Sequence, residues 1–222
     1  MHIEWYGQSA FALRTPEAAV FIDPFGDLSA MAARGMRFDY PPIADVAADL
    51  LLVTHEHADH NATDRIAGDP PVLRSTAGTL DSPLGEVVAV ASEHDDAAGT
   101  RRGPNTIFVF DLGGLRIAHF GDFGQSALRD EQAAAIGQVD LAFLPVGAGP
   151  TIGGEQAAAI ARRIGARWVV PMHYRTHRID FLEPVDGFLD QLADVHRPGE
   201  SGFDTEALPA ATELLAIVPE AP

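Results

Sequence analysis

The stretch Thr54–Asn61, THEHADHN, follows the apolar run Leu50–Val53. It sets His55, His57, Asp59 and His60 side by side in a chain with only 9 histidines among 222 residues. Imidazole nitrogens and carboxylate oxygens are ligands for zinc, manganese, iron or nickel, and the absence of cysteine removes thiolate ligands. In an extended chain His55 and His57 point to one side, because side chains alternate. Asp59 and His60 fall where the chain should turn toward NATDRIAG, a candidate helical turn. One pair is thus set to grip one cation while the next pair faces a second. A His-x-His-x-Asp-His string arises by accident roughly once in a thousand sequences of this composition, so chance is a weak rival and an exposed polar turn is the bland alternative.

A binuclear site needs more ligands, and three positions downstream offer them. His94 ends VVAVASEH, Asp122 ends LRIAHFGD and His173 ends ARWVVPMH. Each is an ionisable group at the end of an apolar strand, where loops carry function. Asp23 in VFIDPFG is a candidate to orient an imidazole from behind the ligands, against the plain reading of a turn aspartate before Pro24. His119 reads as a strand histidine satisfied locally. Arg101, Arg102, Arg175 and His177 lie close after ligands and are candidate contacts for an anionic substrate group, with ordinary surface ion pairs as the alternative. Tyr40, with Arg37 and Phe38, is a candidate lid contact or plain packing.

These residues need strands to carry them. Apolar runs predict strands near 2–6, 10–14, 18–22, 50–54, 86–91, 106–111, 115–120, 140–145, 168–171 and 213–218. Gly113-Gly114 signals a hairpin. GEQAAAIARRIGA has helical spacing, with Gly165 as its stop, and RDEQAAAIG predicts a shorter helix capped by Asp130 and ended by Gly137. EPVDGFLDQLADVH predicts a third. Residues 25–48 read as an irregular insertion and 197–210 as a loop. The class is mixed α/β with helices covering sheets, in a single domain over 1–222.

Composition closes several routes. With no cysteine and no lysine there is no thiol nucleophile, no Schiff base and no phosphate-loop lysine. The Asp-Phe-Gly in GDFG therefore lacks the lysine that kinase chemistry requires. A net charge of −17 disfavours long nucleic acids. No apolar stretch approaches the roughly 20 residues of a membrane helix, and MHIEWYGQSA is unlike a signal peptide, so a cytoplasmic setting is expected.

THEHADH, EHDD, HFGDFG and PMHY, in that order, resemble the metallo-β-lactamase-fold hydrolases. GPNTIFVF, LPVGAGPTIGGEQA and VVPMHYRT resemble the branch that includes L-ascorbate phosphate lactonase. The resemblance implies an αββα sandwich of two mixed sheets flanked by helices, with the site along one edge. It implies one metal on His55, His57 and His94, a second on Asp59, His60 and His173, and Asp122 between them. The branch usually has His where Gln8 and Gln125 stand here, and glutamine cannot titrate. Two cations ~3.5–4 Å apart would share a water, lower its pKa toward ~7 and polarise the attacked oxygen. Asp59 would hold that nucleophile or accept its proton.

The function expected is metal-dependent hydrolysis of a small ester, lactone or phosphoester by a hydroxide bridging two divalent metal ions, with zinc foremost and Mn, Fe or Ni as alternatives. A phosphodiesterase of small nucleotides, a di-iron redox protein and a non-catalytic binding protein of the same fold are the rivals. The partner expected is a small-molecule substrate, anionic or ester-like, with no long nucleic acid and no membrane; a homo-oligomer stays open.

Overall fold

A computed structural model describes residues 1–222. In chain order the strands are β1 (His2–Gly7), β2 (Ala10–Arg14), β3 (Ala19–Ile22), β4 (Val46–Ala47), β5 (Leu50–Val53), β6 (Ile66–Ala67), β7 (Val72–Arg74) and β8 (Gly78–Ser82). They continue as β9 (Gly85–Glu93), β10 (Pro104–Leu112), β11 (Leu115–His119), β12 (Leu141–Pro145), β13 (Trp168–Met172), β14 (Asp194–His196), β15 (Gly202–Asp204) and β16 (Leu215–Ile217). The helices are α1 (Asp130–Ile136), α2 (Gly154–Arg163) and α3 (Asp186–Leu189).

A six-stranded sheet has the order β15-β1-β2-β3-β5-β7, and an eight-stranded sheet the order β14-β16-β13-β12-β11-β10-β9-β8. Alternation along the first sheet sorts its side chains by face. Ile3, Trp5, Phe11, Leu13, Val20, Ile22, Leu50 and Leu52 join the large core shared with the second sheet, where Phe11 packs on Phe143 with ring centroids 4.6 Å apart. Ala10, Ala12, Phe21 and Leu51 point the other way, into a smaller core closed by Phe25, Tyr40, Ile43, Val46, Ile179 and Leu182. On the far side of the second sheet, Ile136 of α1, Ala157, Ile160 and Ala161 of α2 and Phe188 of α3 cover the strands. This is the expected αββα sandwich, with α-helices over one sheet and mainly loop residues over the other.

Strand direction gathers the site. β3 and β5 run parallel, and β1 runs the same way because β2 is antiparallel to both neighbours. In the other sheet β9, β11 and β13 share a direction, since β10 opposes β9 and β11, and β11, β12 and β13 are parallel. The C-terminal ends of each set therefore lie at one edge of their sheet.

Several expectations change. Residues 25–48 are largely irregular as expected, yet four of them, Phe25, Tyr40, Ile43 and Val46, are buried in the smaller core. Residues 197–210 contain β15, which pairs with β1. The helix expected over EPVDGFLDQLADVH shrinks to α3, and its tail becomes β14, paired in parallel with β16. Asp130 is the first residue of α1 rather than its cap: Arg129 takes the cap position and its N–H donates to Gln132 Oε1 at 3.0 Å. The Gly113-Gly114 hairpin forms with both φ positive, at 60° and 77°, as a two-residue turn requires. No helix is long and apolar enough to cross a membrane.

Candidate metal centre

Beyond β5 the chain leaves the sheet, so His55 and His57 are placed by bends and a turn rather than by strand alternation. Glu56 between them anchors the loop outward: it accepts hydrogen bonds from Arg74 Nε at 2.9 Å and Ser75 Oγ at 2.8 Å, just past β7, and from Asn61. The Arg74 pairing holds the Glu56 carboxyl down at about 2. The N–H of His60 closes the turn on the His57 carbonyl at 2.9 Å.

Behind the histidines sits Asp23, fully buried just past β3, with φ of 51°. Its carboxylate accepts the Thr54 N–H at 2.8 Å and the Thr54 hydroxyl at 2.7 Å, and faces His60 Nδ1 at 3.0 Å. The Thr54 oxygen in turn lies 3.1 Å from His55 Nδ1. One carboxylate thus orients two imidazoles, His60 directly and His55 through Thr54. His94 is held likewise, its Nδ1 3.1 Å from the Pro150 carbonyl. All three rings turn Nε2 toward the cluster, the arrangement in which an outer acceptor fixes tautomer and orientation.

Asp122 stands at the centre. Its Oδ2 lies 3.0 Å from His94 Nε2, 3.2 Å from His173 Nε2 and 3.9 Å from His55 Nε2. Its Oδ1 lies 3.3 Å from His60 Nε2 and accepts the Ser9 hydroxyl at 3.4 Å. The Asp122 N–H donates to Asn105 Oδ1 at 3.1 Å. His57 Nδ1 approaches His55 Nε2 at 3.1 Å, and Asp59 Oδ2 approaches His60 Nε2 at 3.6 Å. Ligand atoms within 4.8 Å of one another form three overlapping groups: His55, His57 and His94; His55, His60 and Asp122; and Asp59, Asp122 and His173. The donor set fits divalent cations, being all nitrogen and oxygen, and buried His60 Nε2 and His173 Nδ1 have no hydrogen-bond partner.

Burial, helped by His60, pushes the His55 imidazole down to about 3, and burial also lowers His57. His60 goes the other way: burial opposes its charge, but Asp122, Asp59 and Asp23 outweigh that and hold it well above the ordinary value. Asp122 is held far below the usual carboxylate range, because His173 and His60 overcome burial, and Asp59 is lowered by His60 against the same penalty. Such a cluster favours positive charge at its centre, which a metal supplies when it replaces the imidazolium proton.

The other candidates are placed differently. Tyr40 is buried, its hydroxyl 3.1 Å from Thr176 Oγ1, its ring against Trp5, Phe25 and Phe38, and burial raises its hydroxyl to about 12; it packs. Arg175 donates from Nε to the Leu182 carbonyl at 2.6 Å, and exposed His177 receives Arg37 on its carbonyl at 3.2 Å. Arg101 pairs with Asp96 at 3.1 Å, and both Arg101 and Arg102 line a cavity beside His94. His119 sets Nε2 3.0 Å from the Ser9 carbonyl and accepts the Gly121 N–H on Nδ1 at 3.2 Å, tying two loops of the site together. Thr54, Ser9, Asn105 and Glu56 escaped the sequence reading. Only Thr54 and Glu56 carried a signal, by adjoining the histidines.

A family model described as a beta-lactamase superfamily domain matches residues 2–173. A UPF0173 metal-dependent hydrolase from Thermus thermophilus is 29% identical, covering 94% of this chain and 96% of that protein. Another from Methanoregula boonei is 31% identical, covering 79% and 83%. The solved structure of a metallo-β-lactamase superfamily protein from Thermotoga maritima is 27% identical, with a TM-score of 0.78 and 99% of each chain covered. These matches support the superfamily and its UPF0173 hydrolases, rather than the ascorbate phosphate lactonase branch in particular.

Proposed function

The chain belongs to the beta-lactamase superfamily and is a metal-dependent hydrolase, and from that premise we propose that it works with two divalent cations, zinc foremost, on a small ester, lactone or phosphoester. Manganese, iron and nickel suit the same donors. His55, His57 and His94 would hold one cation, Asp59, His60 and His173 the other, and Asp122 would serve both. The observation that carries this reading is Asp122, a buried carboxylate within 3.3 Å of His94, His173 and His60, which belong to both sets. Residues 1–222 are read as one domain, supported by a core running from Met1 to Val218.

Bound divalent cations supply an acidified water at neutral pH and polarise the attacked oxygen. The protein's own groups do the rest. Asp23 and Thr54 keep His60 and His55 aimed, and Pro150 aims His94. Asp59, the less buried carboxylate of the cluster, takes the water's proton on Oδ2 as oxygen adds to the carbonyl or phosphoryl centre. The proton then leaves with the departing oxygen as its bond breaks.

Elemental analysis of protein purified without chelators should return two metals per chain, and His57→Ala should lower that ratio. The same preparation should hydrolyse at least one of bis-p-nitrophenyl phosphate and a panel of simple esters and lactones. A ratio at or below one in fully active wild-type protein would remove the two-cation reading.

A further inference from the structure

A cavity of about 610 Å³ adjoins the cluster on its His94 side, with Ile152 its single hydrophobic lining residue. Its walls abut the His94 segment. Asp95 follows His94 directly, Pro150 carries the carbonyl that faces His94 Nδ1, and a Cβ on Gly124 would sit 2.4 Å from the His94 carbonyl carbon.

The wall carries two carboxylates, Asp95 and Asp96, and two guanidinium groups, Arg101 and Arg102. The Asp95 carboxylate accepts four backbone N–H groups, from Ala97 at 2.8 Å, Gly99 at 2.9 Å, Arg101 at 2.9 Å and Arg102 at 2.7 Å. That ring of amides holds the carboxylate inside the loop. Asp96 is taken by the Arg101 guanidinium at 3.1 Å. Gln156 is also engaged, accepting the Gly153 N–H and donating to the Ser126 carbonyl. Arg102 remains, a guanidinium with no carboxylate partner, on a loop that Asp95 fixes from inside.

We propose that this cavity is the acyl-side pocket of the substrate site and that Arg102 binds a carboxylate carried by the substrate, so that the preferred substrate is the ester or lactone of a dicarboxylic acid. The assignment rests on the hydrolase reading above. A single guanidinium matches a carboxylate in charge and in its paired donors, whereas a phosphate dianion would leave a charge unmatched. In a chain of net charge −17 the attraction is local, because the field of the whole molecule repels anions.

The test compares mono-p-nitrophenyl glutarate with uncharged p-nitrophenyl valerate on zinc-loaded protein. Wild type should prefer the glutarate ester in kcat/KM, and Arg102→Gln should collapse that preference roughly tenfold, the scale of one charge-assisted hydrogen-bonded pair. Arg102→Lys should restore part of it, which a folding defect would not. In parallel, calorimetry should show free glutarate bound roughly tenfold more weakly by Arg102→Gln. If neither ester is turned over while glutarate binding still depends on Arg102, the ester reading falls and the pocket stands. Glutarate binding that ignores Arg102, or an unchanged ester preference, overturns the pocket. Inorganic phosphate bound more tightly than glutarate, with the same dependence on Arg102, overturns the carboxylate assignment.

Discussion

Gln8 is almost wholly buried beside the cluster, at φ of 51°, with half its carboxamide in use. Nε2 donates to Asp59 Oδ2 at 3.4 Å, while Oε1 has no partner. A carboxamide cannot take up or release a proton at ordinary pH, so this position steers Asp59 without adding a titration of its own. Gln125 is spent on structure, exchanging hydrogen bonds with Gln132 and accepting the Glu93 N–H. Gln8→Met keeps the length and removes both hydrogen-bonding groups. It should lower kcat about tenfold while leaving two metals per chain, since the lost bond to Asp59 is long and sits at the low end of the charged range. Unchanged kcat in the metal-loaded variant would deny Gln8 that role. The contrast between Gln8 and Asp59 shows what was readable at this scale. Histidines and aspartates announce ligand chemistry by residue type, whereas Gln8, Ser9, Thr54 and Asn105 acquire their roles from neighbours as far away as 113 residues along the chain.

Between elements, the centre depends on loops packed backbone against backbone. A Cβ on Gly147, just past β12, would lie 2.2 Å from the His173 carbonyl oxygen and 2.8 Å from the Tyr174 Cα. Neither is the tip of a flexible side chain, so the His173 loop must move. Gly147→Ala should cost roughly 2–3 kcal/mol by overpacking, several degrees of Tm in a chain of this size, and should lower the metal content. Gly149→Ala is the control. It shares the loop and has a positive φ of 65°, but nothing lies within 4 Å of the added carbon, so it tests strain without displacement. Equal metal loss in both would point to loop strain rather than His173 displacement. The inner strands were legible because they alternate or run apolar, as in β5, β10 and β12. The edge strands β7, β8, β14 and β15 were not. They are largely exposed and, β7 apart, largely polar, and pairing with a neighbour defines them more than their own pattern does. The tail of EPVDGFLDQLADVH shows the same limit: helical periodicity gave way to a partner strand, β16.

Across the whole molecule, two sheets bring together candidate ligands spread from residue 55 to residue 173, and no spacing in the sequence states that convergence; the parallel directions of β9, β11 and β13 supply it. Gathering them buries imidazoles, which couples folding to pH. His55, His57 and His119 have values depressed by burial, His55 to about 3. Below pH ~6.5 the unfolded chain binds protons that the folded chain refuses, so their share of stability is present above that pH and lost as pH falls. His60 has the opposite sign: its value is raised, so its share is present below pH ~6.5 and lost as pH rises through the folded value. Asp122 and Asp59 are depressed carboxylates whose share is already complete above pH ~4, so they add no slope near neutrality. Three lowered histidines oppose one raised one, and His55 alone gives about 2 kcal/mol between pH 6.5 and 5. Relief of the −17 self-repulsion acts in the other direction, but ordinary surface carboxylates begin to protonate only near pH ~5. Chelator-stripped protein melted at 0.15 M salt should therefore lose Tm steadily from pH 7 to 5. Metal-loaded protein should start higher, and its advantage should shrink over the same range, because the His60 imidazolium must give up its proton to bind. A stripped protein whose Tm stayed level or rose toward pH 5 would mean that His55 is not held neutral in the interior, and that the cluster is less tightly enclosed than its geometry requires.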